Sequence, residues 1–201
     1  NNILMSVLLT ASLSAALPLS AASHVDVVKM RTENRVNPLG IGTSTPRFSW
    51  QITSDRKGVV QTSYQILVAS SREKLDRNEA DLWDSGERNS DEQLWIPYQG
   101  KALLSGAQAY WKVRITTNKG KSEWTEPQLF TIGLLGETKW SGTWIGLEDL
   151  QPGEQKGMHT RLAARYIRKD FAAKGKVKRA LAYVAGLGVY EFYVNGQRMG
   201  G

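Results

Sequence analysis

The sequence predicts an all-β chain, with one complete sandwich followed by the first part of a second, incomplete one. Three observations predict it. Apolar residues recur at every second position in short runs bounded by Gly, Asn, Asp and Pro, the period of a half-buried strand. Between residues 24 and 135 no apolar periodicity of helical length appears. Seven Trp and seven Tyr in 201 residues supply the bulky rings that fill a two-layer core.

Residues 1–22 stand apart. Ile3 to Leu19 is an apolar, Ala/Leu/Ser-rich run that ends in Ser20-Ala21-Ala22, which reads as the hydrophobic region and cleavage site of a secretory signal peptide. Ser12, Ser14 and Pro18 break the run, leaving it short of the roughly 20 apolar residues a membrane span requires. Cleavage is expected near Ala22–Ser23, which would make the mature protein exported: periplasmic, cell-surface or extracellular. The basic segment that should precede such a run is missing, so the start codon is expected upstream of Asn1.

The first domain is expected over 24–135. Val25-Asp26-Val27-Val28-Lys29-Met30 opens it, and Arg47-Phe48-Ser49-Trp50-Gln51-Ile52 follows with Phe48, Trp50 and Ile52 on one face. Pro46 suits a strand entrance, where an N–H can be forgone. Tyr64, Ile66 and Val68 form the inward set of the next strand, and the polar run Arg72 to Asp81 leaves room for a short helical turn. Two brief strands are expected at Leu82-Trp83-Asp84-Ser85-Gly86 and Trp95-Ile96-Pro97-Tyr98. In Tyr110 to Thr116, Trp111, Val113 and Ile115 face inward while Lys112 and Arg114 face outward. Asn118-Lys119-Gly120 makes a hairpin turn, and Leu129-Phe130-Thr131-Ile132 closes the set. About seven short strands with a Trp in the second indicate an immunoglobulin-like sandwich. The ladder Trp-x-Val-x-Ile followed by Asn-x-x-Gly-x-Ser-x-Trp resembles the last hairpin of fibronectin type III domains; the corner tyrosine of that family falls on Tyr110, although alternation turns Trp111 inward instead. Trp50 and Trp111 are expected in the core, and packing is favoured for Trp83, Trp95 and Trp124 as well.

Gly133 to Glu137 reads as a linker, and a second domain is expected over 137–201. Strands are expected at Arg165 to Phe171, at Val177 to Ala185 and at Val189 to Val194, the last apolar enough to be covered on both faces. Asn195-Gly196 is a strong two-residue hairpin signal. Such strands require a second layer, so this domain is expected to be truncated and completed by further polypeptide.

Composition narrows function. There is no Cys, which excludes disulfides, Cys-ligated metals and a lipid anchor on cysteine. His24 and His159 are the only histidines, and both are expected to be exposed bystanders; no metal or cofactor is expected. The formal charge of +7 is concentrated between Arg161 and Arg179, with no recognition helix or aromatic–basic pattern beside it, so a solvated face is preferred to nucleic-acid binding. Asp84, Glu87, Asp91, Glu92, Glu148 and Asp149 all fall in turns or loops, and no catalytic residue is assigned.

Several motifs recur together in a known family. Leu82 to Gly86, Tyr110 to Arg114, Ser122 to Pro127, Phe130 to Leu135, Trp144-Ile145-Gly146, Arg165 to Phe171 and the run Gly186 to Gly196 resemble, in this order, bacterial α-L-rhamnosidases of glycoside hydrolase family 78. The resemblance implies a fibronectin-like domain, then a β-sandwich often described as carbohydrate-binding, then a helical (α/α)6 barrel beyond Gly201. That barrel would carry the two carboxyl groups, roughly 6.5–9.5 Å apart, that inverting hydrolysis requires. The implied role is that of a non-catalytic N-terminal portion of an exported enzyme that removes terminal α-L-rhamnose from glycans or glycosides. Its partners are the downstream catalytic domain of the same polypeptide and a rhamnose-containing glycan. Trp140, Trp144 and Tyr190 are the candidate sugar-contacting rings, with packing between the domains as the plainer alternative. A non-enzymatic adhesion or glycan-binding module is the competing function.

Overall fold

The computed structural model describes residues 25–136, 140–147, 149–155, 157 and 163–200. The expected leader, His24, Glu137, Glu148, His159 and Arg161 lie outside the described residues. The chain divides into two units, Asn1–Leu135 and Gly136–Gly201.

In chain order the first unit contains β1 (Val25–Thr32), β2 (Arg47–Ser54), β3 (Gln61–Ala69), α1 (Arg72–Asp76), β4 (Trp83–Asp84), β5 (Arg88–Asn89), β6 (Ile96–Pro97), β7 (Gln108–Thr117), β8 (Gly120–Lys121) and β9 (Gln128–Thr131). One sheet has the order β1-β2-β6; the other has β3 and β7 at its centre, with β4 and β5 on the outer side of β3 and β8 and β9 on that of β7. These pairings are antiparallel. A parallel contact joins Ile41 to Ile132, with the Ile41 N–H donating to the Thr131 carbonyl at 2.8 Å. At that contact Gly133 runs tight against Gly40, and a Cβ on it would stand 3.0 Å from the Gly40 carbonyl oxygen. The chain forms an immunoglobulin-like β-sandwich here.

Alternation decides which side chains enter the core. Phe48, Trp50, Ile66, Val68, Trp111, Val113, Ile115 and Phe130 are buried between the two sheets. The Phe48 ring stacks on Trp111 at 4.4 Å between centroids and meets Phe130 edge-on at 5.8 Å. The Trp50 indole N–H donates to Gln61 Oε1 at 3.0 Å, and the Gln61 amide donates in turn to the Ser90 and Glu92 carbonyls. A buried polar pair is thereby satisfied rather than left costly.

Three details depart from the sequence expectation. First, Lys112 does not face solvent. Its Nζ donates to the Leu75 carbonyl and to Asn78 Oδ1 (2.7 Å), because α1 covers the outer face of β3 and β7 and buries Leu67, Ala69 and Leu75 in a small second core. Burial pushes the Lys112 amine below its ordinary pKa. Second, Tyr98, not Tyr110, ties the connection between β6 and β7: its hydroxyl donates to the Lys101 carbonyl at 2.7 Å. Burial raises its pKa to about 12. Only glycine fits beneath it, since a Cβ on Gly100 would lie 2.4 Å from the Leu82 oxygen. Third, Trp95 is 46% exposed, where packing was expected.

In the second unit, β10 (Phe192–Val194) pairs with β11 (Gln197–Met199) through Asn195-Gly196. Both loop residues have positive φ, 51° and 78°, the geometry of a two-residue type I′ hairpin. The strands expected at Arg165–Phe171 and Val177–Ala185 have no ladder partner among the described residues. The apolar run expected to be covered on both faces is open as well, with Val189, Tyr190 and Tyr193 all exposed. Alternation marks which residues can form a strand, but a strand exists only where another backbone accepts and donates beside it.

Candidate functional site

The three rings singled out from the sequence are all open to solvent: Trp140, Trp144 and Tyr190 are 51%, 69% and 53% exposed. The chain folds back on the Trp140 indole at Gly142, where a Cβ would stand 2.6 Å from Nε1. Tyr190 lies over Gly186 in the same way. No ring contact joins any two of the three among the described residues, so they do not form one platform.

The basic stretch is partly neutralised. Arg165 grips Glu154 with both terminal guanidinium nitrogens, at 2.8 and 2.5 Å, and Arg168 pairs with Asp170. The Arg165 hydrogen bonds, helped by the Gln151 and Ala163 N–H groups, hold the Glu154 carboxyl down at about 2.

The first unit carries a concavity that the sequence reading did not single out. On the outer face of the β1-β2-β6 sheet, a concavity of about 190 Å³ is lined by Lys29, Arg31, Asn34, Ser49, Gln51 and Trp95, with Leu94 and Trp50 completing it. The β1–β2 register shifts between Val28 and Arg31, so the bulge turns Lys29 out of the ladder with φ of 50°. Trp95 also has a left-handed φ, 59°, unusual for a bulky residue; its N–H is held by Ser49 Oγ at 2.9 Å. The Arg47 guanidinium sits 4.3 Å from the Trp95 ring centroid and is fixed there by a two-pronged bond to Glu33. That bond holds the Glu33 carboxyl below its usual range. The only available signal was Trp95 itself, a large ring between Leu94 and a short strand. Its backbone conformation and its neighbours from β1 are not encoded locally.

Six carboxylates are held in their charged form by hydrogen bonds. Glu33, Glu73, Glu79, Asp81, Glu87 and Glu154 are all held below the ordinary carboxylate range. A glycosidase general acid needs the opposite shift. For Asp81, burial works upward but is outweighed by the Lys74 and Ser70 hydrogen bonds, which bring it to about 2. Among the described residues no three of His, Asp and Glu gather as a metal site, and no helix is long and apolar enough to cross a membrane.

The family described as "Rha78A-like, N-terminal immunoglobulin domain" matches residues 27–136. An alpha-L-rhamnosidase of Formosa agariphila is 35% identical over 193 residues, covering 89% of this chain and 20% of the relative. The crystal structure of the Streptomyces avermitilis alpha-L-rhamnosidase complexed with L-rhamnose is similar at TM-score 0.57 and 36% identity, over 61% of this chain and 12% of that one. The alpha-L-rhamnosidase structure from Dictyoglumus thermophilum is similar at TM-score 0.53 and 36% identity, over 55% of this chain and 12% of that one. The chain thus spans about a fifth or less of the length of the curated relatives it matches.

Proposed function

The chain belongs to the Rha78A-like family, whose N-terminal immunoglobulin domain it carries at residues 27–136, and from that premise we propose that it is the non-catalytic N-terminal region of an exported α-L-rhamnosidase. The longer protein removes terminal α-L-rhamnose from glycans or glycosides, and this region braces its catalytic domain. One observation carries the proposal: similarity to the Formosa agariphila relative runs for 193 residues, through both units rather than the immunoglobulin domain alone. The second unit supports it from the physical side. Tyr166, Phe171 and Leu187 are 95%, 84% and 88% exposed, a load of apolar surface that further polypeptide would cover. The acid and base carboxylates of hydrolysis are assigned to that further polypeptide.

The test is hydrolysis of an aryl α-L-rhamnoside by two purified proteins, this chain and the full product of its gene. The full product is expected to turn over the substrate, and the chain alone is not. Turnover by the pure chain, or none by the full product, overturns the proposal.

A further inference from the structure

We propose that the concavity on the outer face of the β1-β2-β6 sheet binds one anionic sugar residue, a pyranose bearing a carboxylate or sulfate group. The site belongs to the first unit alone, so the proposal stands or falls independently of the rhamnosidase assignment.

Four features point to it. The first is charge. Lys29 and Arg31 line the concavity and no carboxylate does; Lys29 has no hydrogen-bonding or ionic partner among the described residues, and Arg31 makes one bond, from Nη1 to the Asn34 carbonyl at 3.2 Å. The nearby Glu33 is fully engaged by Arg47 and leaves the two lining cations uncompensated. The second is the ring. Trp95 keeps an exposed apolar surface of the kind that receives the C–H groups of a sugar, while the Arg47 guanidinium lies over one face of the ring. The third is the mixture of neutral polar groups: Gln51 and Asn34 supply donors and acceptors that match ring hydroxyls.

The fourth is strain. Lys29, Asn34 and Trp95 all have left-handed φ values, 50°, 60° and 59°, and so does Glu33 at 48°, whose carboxylate anchors Arg47. Outside glycine such residues are uncommon, and they gather where a backbone is held for a ligand. Glu33 and Asn34 owe theirs to the two-residue turn closed by Thr32 and Arg35, but Lys29 and Trp95, from two separate stretches of chain, both line the same shallow site. Its volume of about 190 Å³ is below the roughly 300–1,000 Å³ of pockets that enclose drug-sized ligands, which suits a single ring.

Binding is tested on the full 201-residue chain, labelled with nitrogen-15, by following its indole N–H resonances during titration. The probes are D-glucuronate and glucose 6-sulfate, with D-glucose as the neutral sugar and inorganic sulfate as the bare ion. Saturable shifts of the Trp95 indole resonance are expected with one or both charged sugars. Affinity for glucose is expected to be at least about tenfold lower, the value of a charge-assisted contact. Trp95→Asn, which suits the left-handed backbone, should abolish the response, read then on the Gln51 side-chain amide. Lys29→Asn with Arg31→Gln should weaken binding about tenfold or more while leaving the β3 and β7 amide resonances in place. Response to glucuronate alone assigns the carboxylate source, and response to the sulfate ester alone assigns the other. The proposal is overturned if neither charged sugar gives a saturable shift, if glucose or inorganic sulfate binds as tightly, or if the double variant binds unchanged.

Discussion

The two units use similar side chains in opposite ways. In the first, Phe48, Trp50, Trp111 and Phe130 are 0–1% exposed and enclosed by two sheets, with Phe48 stacked on Trp111 and edge-on to Phe130. In the second, Tyr166, Phe171, Leu187 and Val189 are each more than four-fifths exposed although they sit in segments of comparable apolar content. The difference is one of layers. A sheet face is buried only by a second element laid over it, and the first unit brings two sheets plus α1 to its own apolar surface. Among the described residues of the second unit, one hairpin of three residues a side is the only ladder. Two-stranded hairpins are marginal alone. Apolar content therefore does not by itself make a core; the topology that pairs it does.

Truncation at matched positions should expose that contrast most strongly. Trp111→Ala removes the ring that stacks on Phe48 and should cost about 3–5 kcal/mol in urea unfolding followed by tryptophan fluorescence. Phe171→Ala, at an 84% exposed position, should change stability by no more than about 0.5 kcal/mol in the same chain. A comparable loss at both positions would mean that the second unit packs its rings as tightly as the first.

A smaller effect concerns the second face of β3 and β7. Lys112→Ala strips the Leu75 carbonyl and Asn78 of their donor and opens space under α1, with an expected cost of about 1–3 kcal/mol. Arg114→Ala, on the same strand but with its charge over the Trp124 ring at 4.4 Å, should cost less than Lys112→Ala. Equal costs would return Lys112 to the solvated role that alternation assigns it.

The mildest prediction is an acid-range one. Asp81 is lowered from 3.8 to about 2, so its contribution is present above pH 4 and lost as pH falls toward about 2. Because the group is partly solvated, the loss should be on the order of 1 kcal/mol. Asp81→Asn should flatten the stability profile over that window, and an unchanged slope would remove Asp81 from the account.

How much of this was legible in the sequence follows from which information is local. The inward sets Phe48/Trp50, Tyr64/Ile66/Val68 and Trp111/Val113/Ile115 were readable because period-two alternation is written in consecutive residues. The Asn195-Gly196 turn was readable for the same reason. Lys112 was misread because alternation cannot reveal that a five-residue helix returns to cover the outer face of the sheet. Tyr98 was missed because its partner carbonyl is set by the tight turn over Gly100 rather than by a strand pattern. The Trp95 concavity was invisible for a similar reason: Lys29 and Arg31 reach it from a bulge some sixty residues earlier, and the left-handed conformation of Trp95 has no counterpart in its residue type. The rings singled out from the sequence, Trp140, Trp144 and Tyr190, stand exposed in the second unit.

Amide hydrogen exchange on the intact chain tests the contrast between the units most directly. The slowest amides should lie in the paired centre of β3 and β7, at Ile66 and Val113 among others, while amides across residues 165–185 should exchange at close to unprotected rates. Protection across 165–185 equal to that of β3 would contradict the account, because it would require those segments to be paired and covered within this chain.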